Sequence, residues 1–128
     1  MRLLLDTHAF LWWVTDNDKL SRKARAAITE TANECFLSVV SAWEMAIKSS
    51  VGKLKLPEPL DRFVPAQLVA NGFVQLPIEF RHVAKVATLT FHHRDPFDRL
   101  LIAQAIEEKM HIVSADATFK RYGVNRLW

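Results

Sequence analysis

The segment RLLLDTHAFLWW, residues 2–13, joins a short apolar run to an amphipathic helical pattern, with Asp6 at the junction. The same alternation recurs along the chain. Further short apolar runs lie at 35–40, 73–76, 111–114 and 124–128. Helical patterns lie at 8–15, 22–32, 42–51, 59–71, 79–90 and 97–109, with a last turn at 117–122. Strands that alternate with helical crossovers predict an α/β sandwich around a parallel sheet of about five strands.

The composition predicts one globular domain over residues 1–128. The single cysteine, Cys35, excludes an internal disulfide bond. Because no apolar run reaches the length of a signal-peptide core or a membrane span, we expect a soluble cytoplasmic protein. The formal charge of +3 is compatible with a phosphate-bearing partner, and equally with an ordinary basic surface.

Four of the acidic residues that follow strands or open helices have a structural explanation. Ser41 and Glu44 have the spacing of a capping box. In DPFD, Asp95 is a good N-cap and Asp98 lies in the first helical turn, where its charge favours the helix dipole. Asp116 can cap the last helical turn. Each of these acids, taken alone, is explained as a helix cap.

Asp6 is harder to explain in this way. It ends an apolar strand, and Thr7 is at least as ready to cap the following helix. A carboxylate just past a buried strand needs a partner, yet no lysine or arginine lies close by in the sequence. Either a distant basic residue or a metal ion can supply that partner.

The acids make a different case as a set. If the strands are neighbours in one parallel sheet, Asp6, Glu44 and Asp116 project towards the same edge, and Asp98 can reach it from its helix. Clustered carboxylates repel one another unless they are protonated or bridged by a cation. Oxygen ligands suit Mg²⁺ or Mn²⁺, which can polarise a phosphodiester and lower the pKa of a bound water.

With these residues in place, the sequence resembles the PIN-domain ribonucleases, in particular the VapC-type toxins of toxin–antitoxin pairs. The resemblance covers nearly the whole chain in four ordered blocks, at 3–13, 37–54, 92–105 and 112–124. It implies a single PIN-like domain, an α/β/α sandwich with a central parallel sheet. It also implies metal-dependent endonucleolytic cleavage of RNA by a metal-activated water.

The resemblance assigns roles by position. Asp6, Glu44 and Asp98 match the family's direct or water-bridged metal ligands. Asp116 matches either a further ligand or a residue that positions water. We expect Thr7 and Ser114 to hold these carboxylates in place. Asp98 aligns with the catalytic aspartate, so Asp95 has the better claim to be the cap, and whether Asp95 joins the metal site stays open.

The resemblance also implies partners. These are an RNA substrate, a VapB-like antitoxin whose C-terminal segment covers the acidic site, and a second copy of the toxin in a homodimer. Basic residues beside the acidic blocks, at Arg94, Arg99, Lys48 and Lys53, are candidates for contact with the RNA backbone. Lys48 lies four residues after Glu44, so a helical ion pair is the simpler account of it.

Histidines and tryptophans near the acidic blocks have ordinary explanations. His92 and His93 are consecutive, and we expect a solvated loop rather than a metal-binding pair. Trp12 and Trp13 lie about 100° apart on a helix, so one of them is expected in the core. The other, with Phe10 or Trp43, is expected in an exposed apolar patch for a partner.

Three other functions are open to the sequence. A phosphorelay receiver domain has a similar size and an acidic Mg²⁺ pocket, but it needs an aspartate at the end of a middle strand, where FVQLP has none. A haloacid-dehalogenase-type phosphatase would want a second aspartate two residues after Asp6, where His8 stands. A PIN-like module that binds RNA without cleaving it is opposed by the intact acid set.

Overall fold

The computed structural model describes residues 1–128 and contains one five-stranded parallel sheet. Its strands are β1 (Arg2–Leu5), β2 (Glu34–Ser38), β3 (Val74–Leu76), β4 (His111–Val113) and β5 (Arg126–Leu127). Their order across the sheet is β3-β2-β1-β4-β5, and every neighbouring pair is parallel. The predicted parallel sheet is confirmed, with β1 at its centre between β2 and β4.

Six α-helices and one 3-10 helix connect the strands. They are α1 (Thr7–Val14), α2 (Arg22–Thr29), α3 (Val39–Ser50), α4 (Leu60–Asn71), α5 (Phe80–Val86), α6 (Pro96–Glu108) and the 3-10 helix Ala117–Tyr122. Ser21 caps α2, since its side chain accepts a hydrogen bond from the Ala24 amide. Gly72 ends α4 with φ of 65°, a left-handed conformation that favours glycine. None of the helices is long and apolar enough to cross a membrane.

Helices cover both faces of the sheet, because alternate residues of the buried strands point to opposite sides. Leu3 and Leu5 of β1 belong to one buried cluster, together with Phe10 of α1 and Phe63 of α4. Leu4 belongs to a second cluster, which includes Leu101 and Ile102 of α6. The predicted α/β/α sandwich is confirmed.

The junction between β2 and α3 differs from the prediction. The strand ends at Ser38 and the helix begins at Val39, whereas the sequence predicted a strand to residue 40 and a helix from residue 42. The Ser38 hydroxyl caps the helix by accepting from the Val40 amide at 3.0 Å. The two valines at 39–40 continue the apolar run and as β-branched residues favour a strand, but a serine cap before them starts the helix earlier. The predicted Ser41–Glu44 capping box is therefore wrong.

Candidate active site

The central strand delivers the first acid of the site. Asp6 directly follows β1, is 7% exposed, and caps α1 by accepting a hydrogen bond from the Ala9 amide at 2.8 Å. The cap is thus Asp6 itself, whereas the sequence assigned that role at least as readily to Thr7. The strand end and the helix start together fix the position of this carboxylate at the carboxyl edge of the sheet.

The second turn of α3 delivers Glu44, which is 4% exposed. The Thr7 hydroxyl donates to its Oε1 at 2.6 Å, so Thr7 holds a carboxylate, as predicted. Lys48 donates to the other oxygen, Oε2, also at 2.6 Å. This hydrogen bond raises the pKa of the Lys48 ammonium. Lys48 is therefore the helical ion-pair partner of Glu44, and its positive charge is paired with that carboxylate.

The start of α6 supplies two acids with different environments. Asp95 is the N-cap, and its Oδ1 accepts from the amides of Phe97 at 2.9 Å and Asp98 at 3.2 Å. Pro96 is the first helical residue, and Asp98 lies in the first turn. The predicted cap is confirmed. Because Asp95 takes the two amides, the carboxylate of Asp98 is left to face the site.

The segment after β4 supplies Asp116 and Ser114. Asp116 caps the 3-10 helix by accepting from the Thr118 amide at 2.9 Å. The fully buried Ser114 hydroxyl accepts from the Asp116 amide at 3.0 Å and also hydrogen-bonds to the Asp6 carboxylate. Ser114 thus connects the ends of the two neighbouring strands β1 and β4, in the supporting position that the sequence predicted.

These acids line one cleft of about 330 Å³, which we call the acidic cleft. Its lining residues are Asp6, His8, Trp12, Glu44, Lys48, Asp95, Asp98, Ala115 and Asp116. A larger hollow of about 530 Å³ lies over α2, but Glu30 is the one acid in its lining. The acidic cleft is therefore the place where the predicted site residues meet, and Asp95 joins them at its wall.

Burial and mutual repulsion change the acidity of the cleft. Burial is the largest cause that raises the pKa of Asp98 to about 8, and repulsion from the carboxylates of Asp95, Asp6, Glu44 and Asp116 contributes after it in that order. Burial also raises the pKa of Asp6, against the opposing effect of its hydrogen bonds. Among the lining residues, five carboxylates face one lysine, which Glu44 already holds. The cleft therefore carries an excess of negative charge that its own residues do not neutralise.

The donor set of the acidic cleft fits a hard divalent cation. Its carboxylate oxygens are the ligands that Mg²⁺ and Mn²⁺ prefer, and the cleft contains no cysteine. A cation would offset the repulsion that raises the pKa of Asp98. Asp6, Glu44, Asp98 and Asp116 are the residues that could hold it.

His93 was wrongly assigned to a solvated loop. Its side chain is 19% exposed, and its Nε2 lies 3.6 Å from Oδ2 of Asp98. Its Nδ1 lies 2.7 Å from the hydroxyl of Tyr122. His8 and Trp12, on the first turns of α1, also line the acidic cleft and had no assigned role. Both residues follow Asp6 closely, by two and six residues, and this proximity in the sequence could have identified them as neighbours of the site.

The predicted basic residues separate into two groups. Arg99 is 8% exposed, and its guanidinium donates to the Thr90 carbonyl at 3.1 Å and the Tyr122 hydroxyl at 3.4 Å. The structure does not bring Arg99 into the acidic cleft. The prediction that Arg99 contacts phosphate is therefore wrong, and its role is structural. Arg94 and Lys53 are exposed and remain candidates for contact with RNA.

The aromatic patch also differs from the prediction. Phe10 is completely buried, so it cannot contribute to an exposed surface. Trp12 and Trp13 are both partly buried against the core. Trp43 is 48% exposed and packs edge-on against Phe97, with ring centroids 4.8 Å apart.

Known proteins place this architecture in a family. The family model of the PIN domain matches residues 3–125. The chain belongs to the PIN domain family. A curated relative of this PIN domain, Ribonuclease VapC22 of Mycobacterium tuberculosis (strain ATCC 25618 / H37Rv), is 29% identical over 121 residues, which cover 94% of the chain and 91% of the relative.

Two further comparisons have narrower scope. Ribonuclease VapC16 of the same strain is 37% identical over 62 residues, or 48% of this PIN domain, and the match spans 44% of the relative's own length. The crystal structure of VapBC2 from Rickettsia felis, bound to a DNA fragment from their promoter, gives a TM-score of 0.72 with 16% identity and covers 100% of both chains. At this low identity the structural likeness concerns the fold.

Proposed function

We propose that this PIN domain is a metal-dependent endoribonuclease that acts as the toxin of a toxin–antitoxin pair. The observation that carries the proposal is the meeting of five carboxylates in one cleft, where burial and repulsion raise the pKa of Asp98 to about 8. The names of the relatives, which are ribonucleases, support the choice of RNA as substrate.

The proposed mechanism divides the work among the residues of the acidic cleft. Asp6, Glu44 and Asp98 would hold Mg²⁺ or Mn²⁺, and Asp116 would be a further ligand or would position water. Thr7 fixes one oxygen of Glu44, and Ser114 contacts Asp6. When bound, the cation would polarise the scissile phosphodiester and lower the pKa of the attacking water.

Exposed basic residues outside the cleft would contact the RNA backbone. Arg94 adjoins Asp95, and Lys53 follows the end of α3. Lys48 is a weaker candidate, because Glu44 holds its ammonium group. The protein partner would be an antitoxin, since two solved neighbours of the fold are a toxin–antitoxin complex from Klebsiella pneumoniae and VapBC-5 of Mycobacterium tuberculosis, a member of the VapBC family of toxin–antitoxin systems. The homodimer that the sequence suggested stays a prediction.

Cleavage of RNA by the purified chain, freed of any antitoxin, tests the proposal. We expect total RNA to be cut at defined positions with Mg²⁺ or Mn²⁺ and to stay intact in EDTA. Asp6→Asn should remove the activity, whereas the same substitution at the exposed Asp18 should leave it unchanged. Cleavage at full rate in EDTA, or by the Asp6→Asn protein, would refute the metal mechanism.

A further inference from the structure

His93 lies beside Asp98 and Asp116, two acids of the acidic cleft, and contacts a residue distant in sequence. Its Nδ1 is 2.7 Å from the hydroxyl oxygen of Tyr122, the last residue of the 3-10 helix. Its Nε2 is 3.6 Å from Oδ2 of Asp98. Ligand atoms of His93, Asp98 and Asp116 all lie within 4.8 Å of one another. By distance alone, His93 could be either a metal ligand or a hydrogen-bond donor to Asp98.

The surroundings of Tyr122 decide which ring nitrogen of His93 carries the proton. The Tyr122 oxygen accepts hydrogen bonds from the backbone amides of His92 at 3.2 Å and His93 at 3.1 Å. Arg99 Nη1 approaches the same oxygen at 3.4 Å. All three groups can only donate, and the two amides alone occupy both lone pairs of the phenol oxygen. The Tyr122 hydroxyl must then donate its own proton, and the acceptor beside it is Nδ1 of His93.

It follows that Nδ1 of a neutral His93 holds a lone pair and Nε2 holds the proton. Nε2 is buried and has no hydrogen-bond partner. A buried N–H without an acceptor is costly. The distance of 3.6 Å to Asp98 is longer than a hydrogen bond, so a small rotation of that carboxylate is needed to satisfy the donor.

We propose that His93, with its tautomer fixed by Tyr122, is a positioning residue for Asp98. Its Nε2–H donates to Oδ2 of Asp98 and leaves the other carboxylate oxygen to the divalent cation. A protonated Nε2 cannot itself bind the cation, so His93 is not a ligand. This inference rests on the proposed function, because it takes Asp98 as a metal ligand. Partners of this kind typically change metal affinity by about 10- to 100-fold.

The tautomer can be measured directly, in the metal-free protein and without any assay of activity. Long-range ¹H–¹⁵N NMR of the histidine rings, with His93 assigned from a His93→Gln sample, should show a pyridine-type Nδ1 and a protonated Nε2. Addition of Mg²⁺ should leave Nε2 protonated. A protonated Nδ1 in the neutral ring, or loss of the Nε2 proton when Mg²⁺ binds, would overturn the inference.

A pair of amide substitutions tests the role of the donor. The side-chain nitrogen of glutamine can reach the position of Nε2, whereas asparagine is shorter and reaches only the position of Nδ1. We expect His93→Asn to weaken Mg²⁺ binding about 10-fold by calorimetry, and His93→Gln to retain most of the affinity. The KM for RNA at saturating Mg²⁺ should be the same in both. A raised KM with unchanged Mg²⁺ affinity would instead make His93 a substrate contact and overturn its positioning role.

Asp98→Asn separates this inference from the function on which it rests. If Asp98→Asn binds Mg²⁺ as the wild type does, the assignment of Asp98 as a ligand fails. If Asp98→Asn loses Mg²⁺ binding while His93→Asn keeps it, the ligand assignment stands and the role of His93 fails. Thermal melting of each variant shows whether a loss of binding comes from unfolding, and the NMR measurement on the wild type does not depend on any variant.

Discussion

Two clusters in this molecule combine a histidine with two acids, and they differ in what neutralises the acids. In the first, which we call the paired cluster, His82 lies between Glu79 and Glu108, and Arg81 forms ion pairs with both glutamates. In the second, at the acidic cleft, His93 faces Asp98 and Asp116. No lysine or arginine lies within ion-pair distance of Asp98.

The two histidines have the same tautomer for the same reason. Nδ1 of His82 accepts a hydrogen bond from the Glu79 amide at 3.0 Å. The Nε2 of His82 therefore carries the proton and donates to Glu108 at 3.1 Å. The corresponding distance from His93 to Asp98 is 3.6 Å. The acids of the paired cluster have positive partners within the chain, whereas the one lysine of the acidic cleft is held by Glu44 and leaves the other carboxylates without one. Charge balance, rather than the distance between ligand atoms, therefore distinguishes a structural cluster from a candidate metal site.

The largest expected effect separates the two carboxylates of DPFD. Asp98→Asn keeps the size of the side chain but removes an anionic oxygen, so we expect RNA cleavage to fall by at least about 100-fold. Asp95→Asn should keep most of the activity, because asparagine caps a helix about as well as aspartate. Single-turnover cleavage rates at saturating Mg²⁺ measure both. An inactive Asp95→Asn beside an active Asp98→Asn would exchange the two roles.

The next effect is a pH dependence of the metal-free protein. The pKa of Asp98 is about 8 in the folded chain, against 3.8 for an ordinary aspartate. The folded state therefore binds this proton more tightly than the unfolded state. Its contribution to stability is fully present below about pH 4 and is lost as the pH rises through 8. In EDTA, the melting temperature of the wild type should fall relative to Asp98→Asn between pH 5 and pH 8.

The difference between the two melting curves is the quantity that matters, because it removes the pH dependence that the two proteins share. Mg²⁺ should raise the melting temperature of the wild type more at pH 8 than at pH 6, since the cation competes with the Asp98 proton. Parallel curves for wild type and Asp98→Asn in EDTA would show that Asp98 titrates as an ordinary surface acid.

Replacing an acid by its amide should have opposite effects on the free energy of unfolding in the acidic cleft and in the paired cluster. Asp6→Asn keeps the cap on Ala9 and deletes one of the repelling charges, so the metal-free variant should melt no lower than the wild type while losing cleavage. Glu108→Gln removes an ion-pair partner of Arg81 and His82, and we expect a loss of about 1 kcal/mol with cleavage retained. Denaturant unfolding in EDTA checks both. A marked loss of stability in Asp6→Asn would make Asp6 a paired structural acid.

The sequence was sufficient to predict the sheet and most of the acids, because both depend on local patterns. Asp6 and Asp116 follow apolar runs, and parallel strands bring such residues to one edge. The cap at Asp95 follows from a single tetrapeptide. The β2–α3 junction was wrong because Val39 and Val40 favour a strand, and the serine cap that starts the helix outweighs that preference.

The roles of His93 and Arg99 could not be predicted, because both depend on Tyr122, which lies more than twenty residues further along the chain. Consecutive histidines resemble a solvated loop in the sequence, whereas in the structure the 3-10 helix places the Tyr122 hydroxyl against one of them. Arg99 resembles a phosphate contact until its guanidinium is seen against backbone carbonyls. Contacts between distant segments leave no periodic signal in the sequence.

The smallest expected effect isolates the helix cap from the charge of Asp95. Asp95→Ala removes both the cap and the charge. Loss of the cap lowers the free energy of unfolding, whereas relief of the repulsion at Asp98 raises it, so the alanine variant has to be compared with a variant that changes only the charge. Asp95→Asn removes the charge and keeps the cap. The alanine variant should therefore be about 1 kcal/mol less stable than the asparagine variant in EDTA, by urea denaturation. Equal stability would mean that the amides of Phe97 and Asp98 do not need the side chain of residue 95 as a cap.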